Sequence, residues 1–198
     1  MIKAILFDVG GVLVNQKRLI EKFIKIFKQK NTHQFWDYLN IEAIPLCKGQ
    51  IKEKEFWAKI SKKYKVPASG NLWTVDFEKL TKINHKVLNI AKRLRAKYKI
   101  GIISNTITPH VKVNRKRELF NIFDAVILSC KVNLTKDNKE IFMLAAKKLE
   151  VKTEECIFID DVSDFVKTAE SAGMKGILFK NSTQLNKELK RILRLKVI

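Results

Sequence analysis

The stretch ILFDVGGVLV, residues 5–14, decides the fold. An apolar run ends on a single aspartate, Asp8, and two glycines, Gly10 and Gly11, follow before the chain turns apolar again. A short apolar run closed by a polar residue predicts a buried parallel strand, here over residues 3–7. The carboxylate then lies at the rim of the core, beside a loop whose glycines admit backbone conformations closed to other residues. A strand end with a glycine turn explains this stretch if it stands alone. A functional reading needs partners elsewhere in the chain.

The rest of the sequence supplies further strands of the same kind. KIGIISN at 99–105, DAVILS at 124–129, CIFIDD at 156–161 and KGILF at 175–179 are each short, apolar and closed by polar residues. Helical spacing fills the gaps, with Val87, Ala91 and Leu94 on one face, and Phe142, Ala145 and Leu149 on another. Leu185, Leu189 and Ile192 follow a cap at Asn181 or Ser182. Strands alternating with helices predict an α/β fold with a doubly wound parallel sheet. Residues 15–80 break that rhythm. Leu19, Ile20, Phe23, Ile24 and Phe27 form one amphipathic helix, and Phe56, Trp57, Ile60 and Tyr64 another, with VPASGN at 66–71 as a loop. No strand is expected between the first one and KIGIISN. The organisation predicted is an α/β core of residues 1–14 and 81–198, carrying a small inserted α-helical cap at 15–80 with hinges near 14–16 and 78–84.

The 198 residues suffice for one sizeable core with a small insert. No apolar run is long enough to span a bilayer, so no membrane partner is expected. The first residues read as a strand rather than a secretory leader. Cys47, Cys130 and Cys156 are scattered, which fits a reducing, cytoplasmic setting. His33, His85 and His110 are equally dispersed and read as surface or packing residues. The formal charge of +20, from 40 basic and 20 acidic residues, attracts anions. Runs such as KRLIEKFIKIFKQK and KELKRILRLK carry apolar residues at helical spacing, so lysine-rich solvated helix faces account for most of that charge. The charge admits a nucleic-acid partner, but no nucleic-acid-binding signature accompanies it. Monomer and dimer both remain open.

Ligands of such sheets bind beyond the carboxyl ends of the strands. Those ends carry Asp8, then Ser104-Asn105-Thr106, then the LSCKVNLTK loop leading to Lys136, then Asp160 and Asp161. A carboxylate can attack a phosphoryl group. Asp8 and Asp161, with backbone carbonyls, supply the hard oxygen ligands that Mg²⁺ prefers. Lysine places a compact charge against phosphoryl oxygens, and the Ser104 hydroxyl with the amides after it can hold others. Positioning and charge neutralisation are most of what phosphoryl transfer requires.

This set resembles the haloacid dehalogenase (HAD) superfamily of aspartate-nucleophile hydrolases. ILFDVGGVLV, GIISNT, LTKDNKEIF and IFIDD match its four motifs in order, and CKGQIKEKEFWAKI is similar to the helical cap of its sugar-1-phosphate phosphatase branch. The resemblance implies an Mg²⁺-dependent phosphohydrolase acting on a small phosphorylated metabolite through an aspartyl-phosphate. It implies Asp8 as nucleophile and metal ligand, the Gly10 carbonyl and Asp161 as further ligands, and Asp160 acting on the metal through water or from behind its direct ligands. It implies Ser104, Asn105, Gly11 and Lys136 as phosphate-binding residues, with Lys136 also catalytic. Asp164 either orients this set or is an ordinary acid at a helix start. Specificity is expected in the cap, near Trp36, Tyr38, Cys47, Lys48 and Trp57. A dehalogenase fits less well, because an acidic pair at 160–161 argues for a metal. Two departures stand out. Lys136 is followed by Asp137 where the family carries proline, and Gly10 replaces a second aspartate that serves as general acid and base. The second departure keeps alive the alternative of a weakened protein that binds a phosphorylated ligand, a protein or nucleic acid without turnover.

Overall fold

The computed structural model describes residues 1–194, with the side chains of Thr32 and His33 outside the described set. The end of the run KELKRILRLK and the environment of His33 therefore lie outside the described residues.

Five parallel strands form one sheet: β1 (Ala4–Phe7), β4 (Lys99–Ser104), β5 (Ala125–Leu128), β6 (Cys156–Asp160) and β7 (Lys175–Leu178). Their order is β5-β4-β1-β6-β7. The chain winds from β1 through β4 to β5, then crosses to the other side for β6 and β7. The topological switch therefore falls beside β1, where such sheets place their ligands. Side chains alternate across the sheet as strand geometry demands. Ile5, Phe7, Ile100, Ile102, Ile157 and Ile159 enter one apolar cluster, and Leu6, Ile103 and Phe158 enter the other. The first face is covered by α6 (His85–Leu94) and α11 (Ser182–Leu193), and the second by α9 (Lys139–Lys148) and α10 (Ser163–Ser171). Asn181 caps α11, its side chain accepting from the Gln184 N–H.

Between β1 and α6 stand five helices: α1 (Lys17–Ile26), α2 (Thr32–Glu42), α3 (Ile44–Cys47), α4 (Glu53–Tyr64) and α5 (Leu72–Leu80). Their aromatic residues join the first apolar cluster without a break. Phe27 stacks on Trp57 at 5.8 Å, and Phe56 on Trp73 at 5.2 Å. The Glu53 carboxylate at the start of α4 fixes α5, accepting from the Trp73 N–H at 2.7 Å and from the Trp57 indole at 2.9 Å. One expectation is corrected. Two strands do occur in this region, β2 (Val14–Asn15) and β3 (Lys82–Ile83), paired antiparallel where the chain leaves and rejoins the sheet. Each has only two residues, too few to show a period of two, so only their pairing reveals them.

Two shorter stretches complete the frame: α7 (Thr108–Lys116) after β4, and the single turn α8 (Ser129–Val132) after β5. Arg117 ties α7 to the end of α5, donating to the Thr81 hydroxyl at 2.9 Å and to the Thr81 and Glu78 carbonyls. No helix among the described residues is long and apolar enough to cross a membrane.

Candidate active site

Asp8 follows β1, and its N–H donates to the Ile159 carbonyl of β6, which sets it at the sheet's rim. Lys136 reaches the same point from the loop after α8. Its Nζ donates to Asp8 Oδ1 at 2.7 Å and to Asp160 Oδ2 at 2.6 Å, with all three side chains buried. The ammonium also faces the Phe165 ring at 4.7 Å. The other Asp160 oxygen accepts from the Val162 N–H at 2.8 Å, so both are engaged. Asp161, next to this fully buried neighbour, reaches solvent.

Oxygens of Asp8, Asp160 and Asp161 lie within 4.8 Å of one another. Three carboxylates against one ammonium leave an excess of two negative charges, which a divalent cation balances. All the donors are hard oxygens, as Mg²⁺ requires. The residues present therefore fit that ion, with Asp8 and Asp161 holding the free oxygens and Asp160 engaged elsewhere. The electrostatics agree. Burial first, and then repulsion from Asp160 and Asp161, holds the Asp8 carboxyl well above the usual carboxylate range despite the Lys136 charge. Asp161 touches solvent, yet the protein crowded around it and the Asp160 charge push it up to about 7. Burial works against the Lys136 charge, but Asp160 and Asp8 outweigh it and hold the lysine above its ordinary value.

Gly11 adopts φ +84°, and a Cβ there would come within 2.0 Å of Asp161 Oδ2. Only glycine lets the loop pass this close to the carboxylate. Its N–H donates to the Val14 carbonyl at 2.9 Å. Asn105 accepts from the Lys136 N–H through Oδ1 at 3.0 Å, leaving its NH₂ for a ligand. Ser104 is buried at the end of β4. Asp137, in place of proline, accepts from the Thr135 hydroxyl and closes the turn beside Lys136 by a side-chain bond instead.

A small cavity of about 80 Å³ opens on this cluster, roughly half the size of an engineered cavity that holds benzene (~150 Å³). Gly10, Asn105, Lys136 and Asp161 line it, together with Trp36, Asn40, Cys47, Trp73 and His110. A wider cleft between α1 and α11 shares Gln16, Trp36 and Asp161 with it.

A sequence model described as haloacid dehalogenase-like hydrolase matches residues 2–173. The chain belongs to this family. Among its relatives, the putative phosphatase YhcW of Bacillus subtilis (strain 168) is 26% identical over 188 residues, covering 91% of this chain and 84% of that protein. Acyl-CoA dehydrogenase family member 10 of Mus musculus is 24% identical over 96% of this chain. The chain spans only 19% of that protein, and 37% and 18% of two other long relatives. HAD family enzyme bt-2542 from Bacteroides thetaiotaomicron, solved in complex with magnesium and inorganic phosphate, is 27% identical with a TM-score of 0.66, over 91% of this chain and 95% of that one.

Asp8, Gly10, Asn105, Lys136, Asp160 and Asp161 converge on one rim of the sheet. Asp164 does not. It is exposed at the start of α10 and pairs with Lys167 at 3.1 Å, which leaves the reading of an ordinary helix-start acid. Trp36 and Cys47 line the cavity, whereas Trp57 is buried in the aromatic cluster, and neither Tyr38 nor Lys48 lines it. Two residues at the site carried no functional signal in the sequence. Gln16 lies over Gly10, its Nε2 within 2.9 Å of where a Cβ would be. His110 lines the cavity from α7.

Proposed function

We propose that this hydrolase is an Mg²⁺-dependent phosphohydrolase acting on a small phosphorylated metabolite with a good leaving group, and that residues 15–80 act as its cap. One observation carries the reading: the Lys136 ammonium bridges Asp8 and Asp160 in a buried cluster, with the Asp161 carboxylate beside it at the mouth of a small cavity. The magnesium and phosphate bound by the Bacteroides enzyme support it.

In this mechanism Asp8 attacks phosphorus, and the bond from phosphorus to the leaving oxygen breaks. Water then attacks the aspartyl-phosphate, releasing inorganic phosphate and restoring the Asp8 carboxylate. Lys136 offsets the nucleophile's charge and holds one of its oxygens in place. The Asn105 NH₂ and the Lys136 ammonium bind equatorial phosphoryl oxygens. Bound Mg²⁺, held by Asp8, Asp161 and the Gly10 carbonyl, supplies the positive charge that lets an anionic nucleophile approach an anionic substrate. The cap narrows the cavity and excludes water, tied down where the Ser129 hydroxyl donates to the Cys47 carbonyl at 2.8 Å. Gly10 leaves position 10 without a proton donor, so the departing oxygen must be stable as an anion or take its proton from water.

Phosphate release from p-nitrophenyl phosphate, with and without Mg²⁺, tests this reading on the wild type and on Asp8→Asn. Release that requires both Mg²⁺ and Asp8 is expected. Gly10 favours a second reading, a ligand-binding protein without turnover, which phosphate analogue binding in the absence of any release would support.

A further inference from the structure

Gln16 stands where the chain leaves the core, directly after β2 and just ahead of α1. A polar residue in that place ordinarily turns its side chain back to accept from the free N–H groups of the first helical turn. Gln16 does not. Its side chain makes no capping bond, and among the described residues its amide has no protein partner. It lies over Gly10 instead, with Nε2 2.9 Å and Oε1 3.2 Å from where a Cβ on that residue would stand. There the amide lines the small cavity together with Asn105, Lys136 and Asp161.

The backbone fixes that position. The Val14 N–H donates to the Val9 carbonyl at 2.7 Å, and the Gly11 N–H to the Val14 carbonyl, which folds the loop after Asp8 back on itself. The Asn84 N–H donates to the Leu13 carbonyl at 2.8 Å, and β2 pairs with β3, so Gln16 leaves from an anchored point. Gly10 makes the room, since a side chain there would displace the amide. The other donors of the cluster are committed. The Lys136 ammonium bridges Asp8 and Asp160, and the Asn105 NH₂ serves the phosphoryl oxygens. Gln16 is a further donor, beside the nucleophile's own loop, and it is free.

We propose that Gln16 is a catalytic residue, its NH₂ donating a hydrogen bond to the departing oxygen and its Oε1 orienting the water that attacks the aspartyl-phosphate. This inference rests on the phosphohydrolase reading and deepens it. In the first step the bond from phosphorus to the leaving oxygen breaks and its electron pair stays on that oxygen. The amide stabilises the charge that develops there, and the oxygen then takes its proton from water. In the second step the water oxygen bonds to phosphorus, the bond from phosphorus to Asp8 breaks, and the water's proton passes to bulk water. Water enters where the leaving oxygen departed, so one amide meets both, its donor side facing the first and its acceptor side the second. It gives up no proton and takes none. A glutamine that only orients the attacking water plays a comparable part in GTP hydrolysis.

The test measures kcat/KM for phosphate esters graded by leaving-group pKa, from p-nitrophenyl to alkyl, on the wild type and on Gln16→Met, which keeps the length of the side chain without its hydrogen-bonding groups. Alkyl phosphates should lose about 10-fold or more, the usual effect of removing a hydrogen bond to a charged group. p-Nitrophenyl phosphate should lose less than about threefold, because its phenolate needs little help. The same substitution made in Gly10→Asp, where the aspartate displaces the amide, should cost alkyl phosphates less than about threefold. A loss equal for all esters, a loss of the same size in both backgrounds, or no loss overturns the inference. So does an unchanged slope with a raised Mg²⁺ requirement, which would assign Gln16 to the metal instead. Should Gln16→Met melt early, Gln16→Ala gives a second reading of the slope. The two levels separate cleanly. Wild-type release from p-nitrophenyl phosphate with a slope indifferent to Gln16 defeats this inference alone, whereas release from no ester defeats the phosphohydrolase reading as well.

Discussion

Gly11→Ala isolates the geometric requirement of the carboxylate cluster. At φ +84° an L-residue pays a backbone cost of about 1–2 kcal/mol, and for a chain of this size each kcal/mol lowers Tm by about 2–4 °C. The added Cβ would stand 2.0 Å from Asp161 Oδ2 and 2.4 Å from its Cγ. Ordinary contact requires about 3.5 Å, so the carboxylate must move by roughly 1 Å or more. A misplacement of that size at a reacting centre costs about 10²-fold in rate. Gly49→Ala is the control, since Gly49 has φ +75° with nothing within 4 Å of its Cβ position. It carries the backbone cost without the collision. Thermal melts and kcat/KM on p-nitrophenyl phosphate across an Mg²⁺ titration read both effects. The two variants should melt within a few degrees of each other, while Gly11→Ala alone loses about 10²-fold in activity and needs more Mg²⁺. A folded Gly11→Ala within threefold of wild-type kcat/KM would refute the placement of Asp161 at the reacting centre.

Two further predictions follow from the same geometry. His110 is neutral when folded, with its pKa lowered by burial to about 3, and ordinary when unfolded, at about 6.5. The unfolded chain therefore binds more protons between those values, so this contribution to stability is complete above about pH 6.5 and is lost as pH falls towards 3. Denaturant melts should show the wild type losing about 2–3 kcal/mol more than His110→Phe between pH 6.5 and 4.5; parallel curves would count against it. For Gly10→Asp, the three atoms nearest the added Cβ all belong to the flexible end of Gln16, at 2.9–3.2 Å, which can swing aside. The variant should raise turnover of alkyl phosphates by about 10²-fold or more and flatten the dependence of rate on leaving-group pKa, and a series of esters with chemistry rate-limiting would expose an unchanged slope.

The core of this fold was legible because parallel strands buried on both faces carry a strong local signal. The five sheet strands lie where their apolar runs place them, and Asp8 and Asp161 were readable as polar residues at strand ends, with Lys136 in the loop beyond another. The less legible parts depend on tertiary partners. α2 has the sequence THQFWDYLNIE, whose apolar residues do not fall on one clean stripe, and α7 is mostly polar. β2 and β3 exist only through each other. Gln16 is unremarkable until the loop folds it over Gly10, and His110 until α5 brings Phe77 and Trp73 against α7.

The central claim is that Asp8 becomes covalently phosphorylated. Acid-quenched single-turnover reactions with a good-leaving-group phosphate and Mg²⁺, followed by peptide mass spectrometry, measure this directly. The account predicts a transient phosphoryl group on Asp8 that forms no more slowly than phosphate appears and is absent from Asp8→Asn. Phosphate release at the wild-type rate with no phosphoryl group on Asp8 at any time point, under quench conditions shown to preserve acyl phosphates, would contradict it.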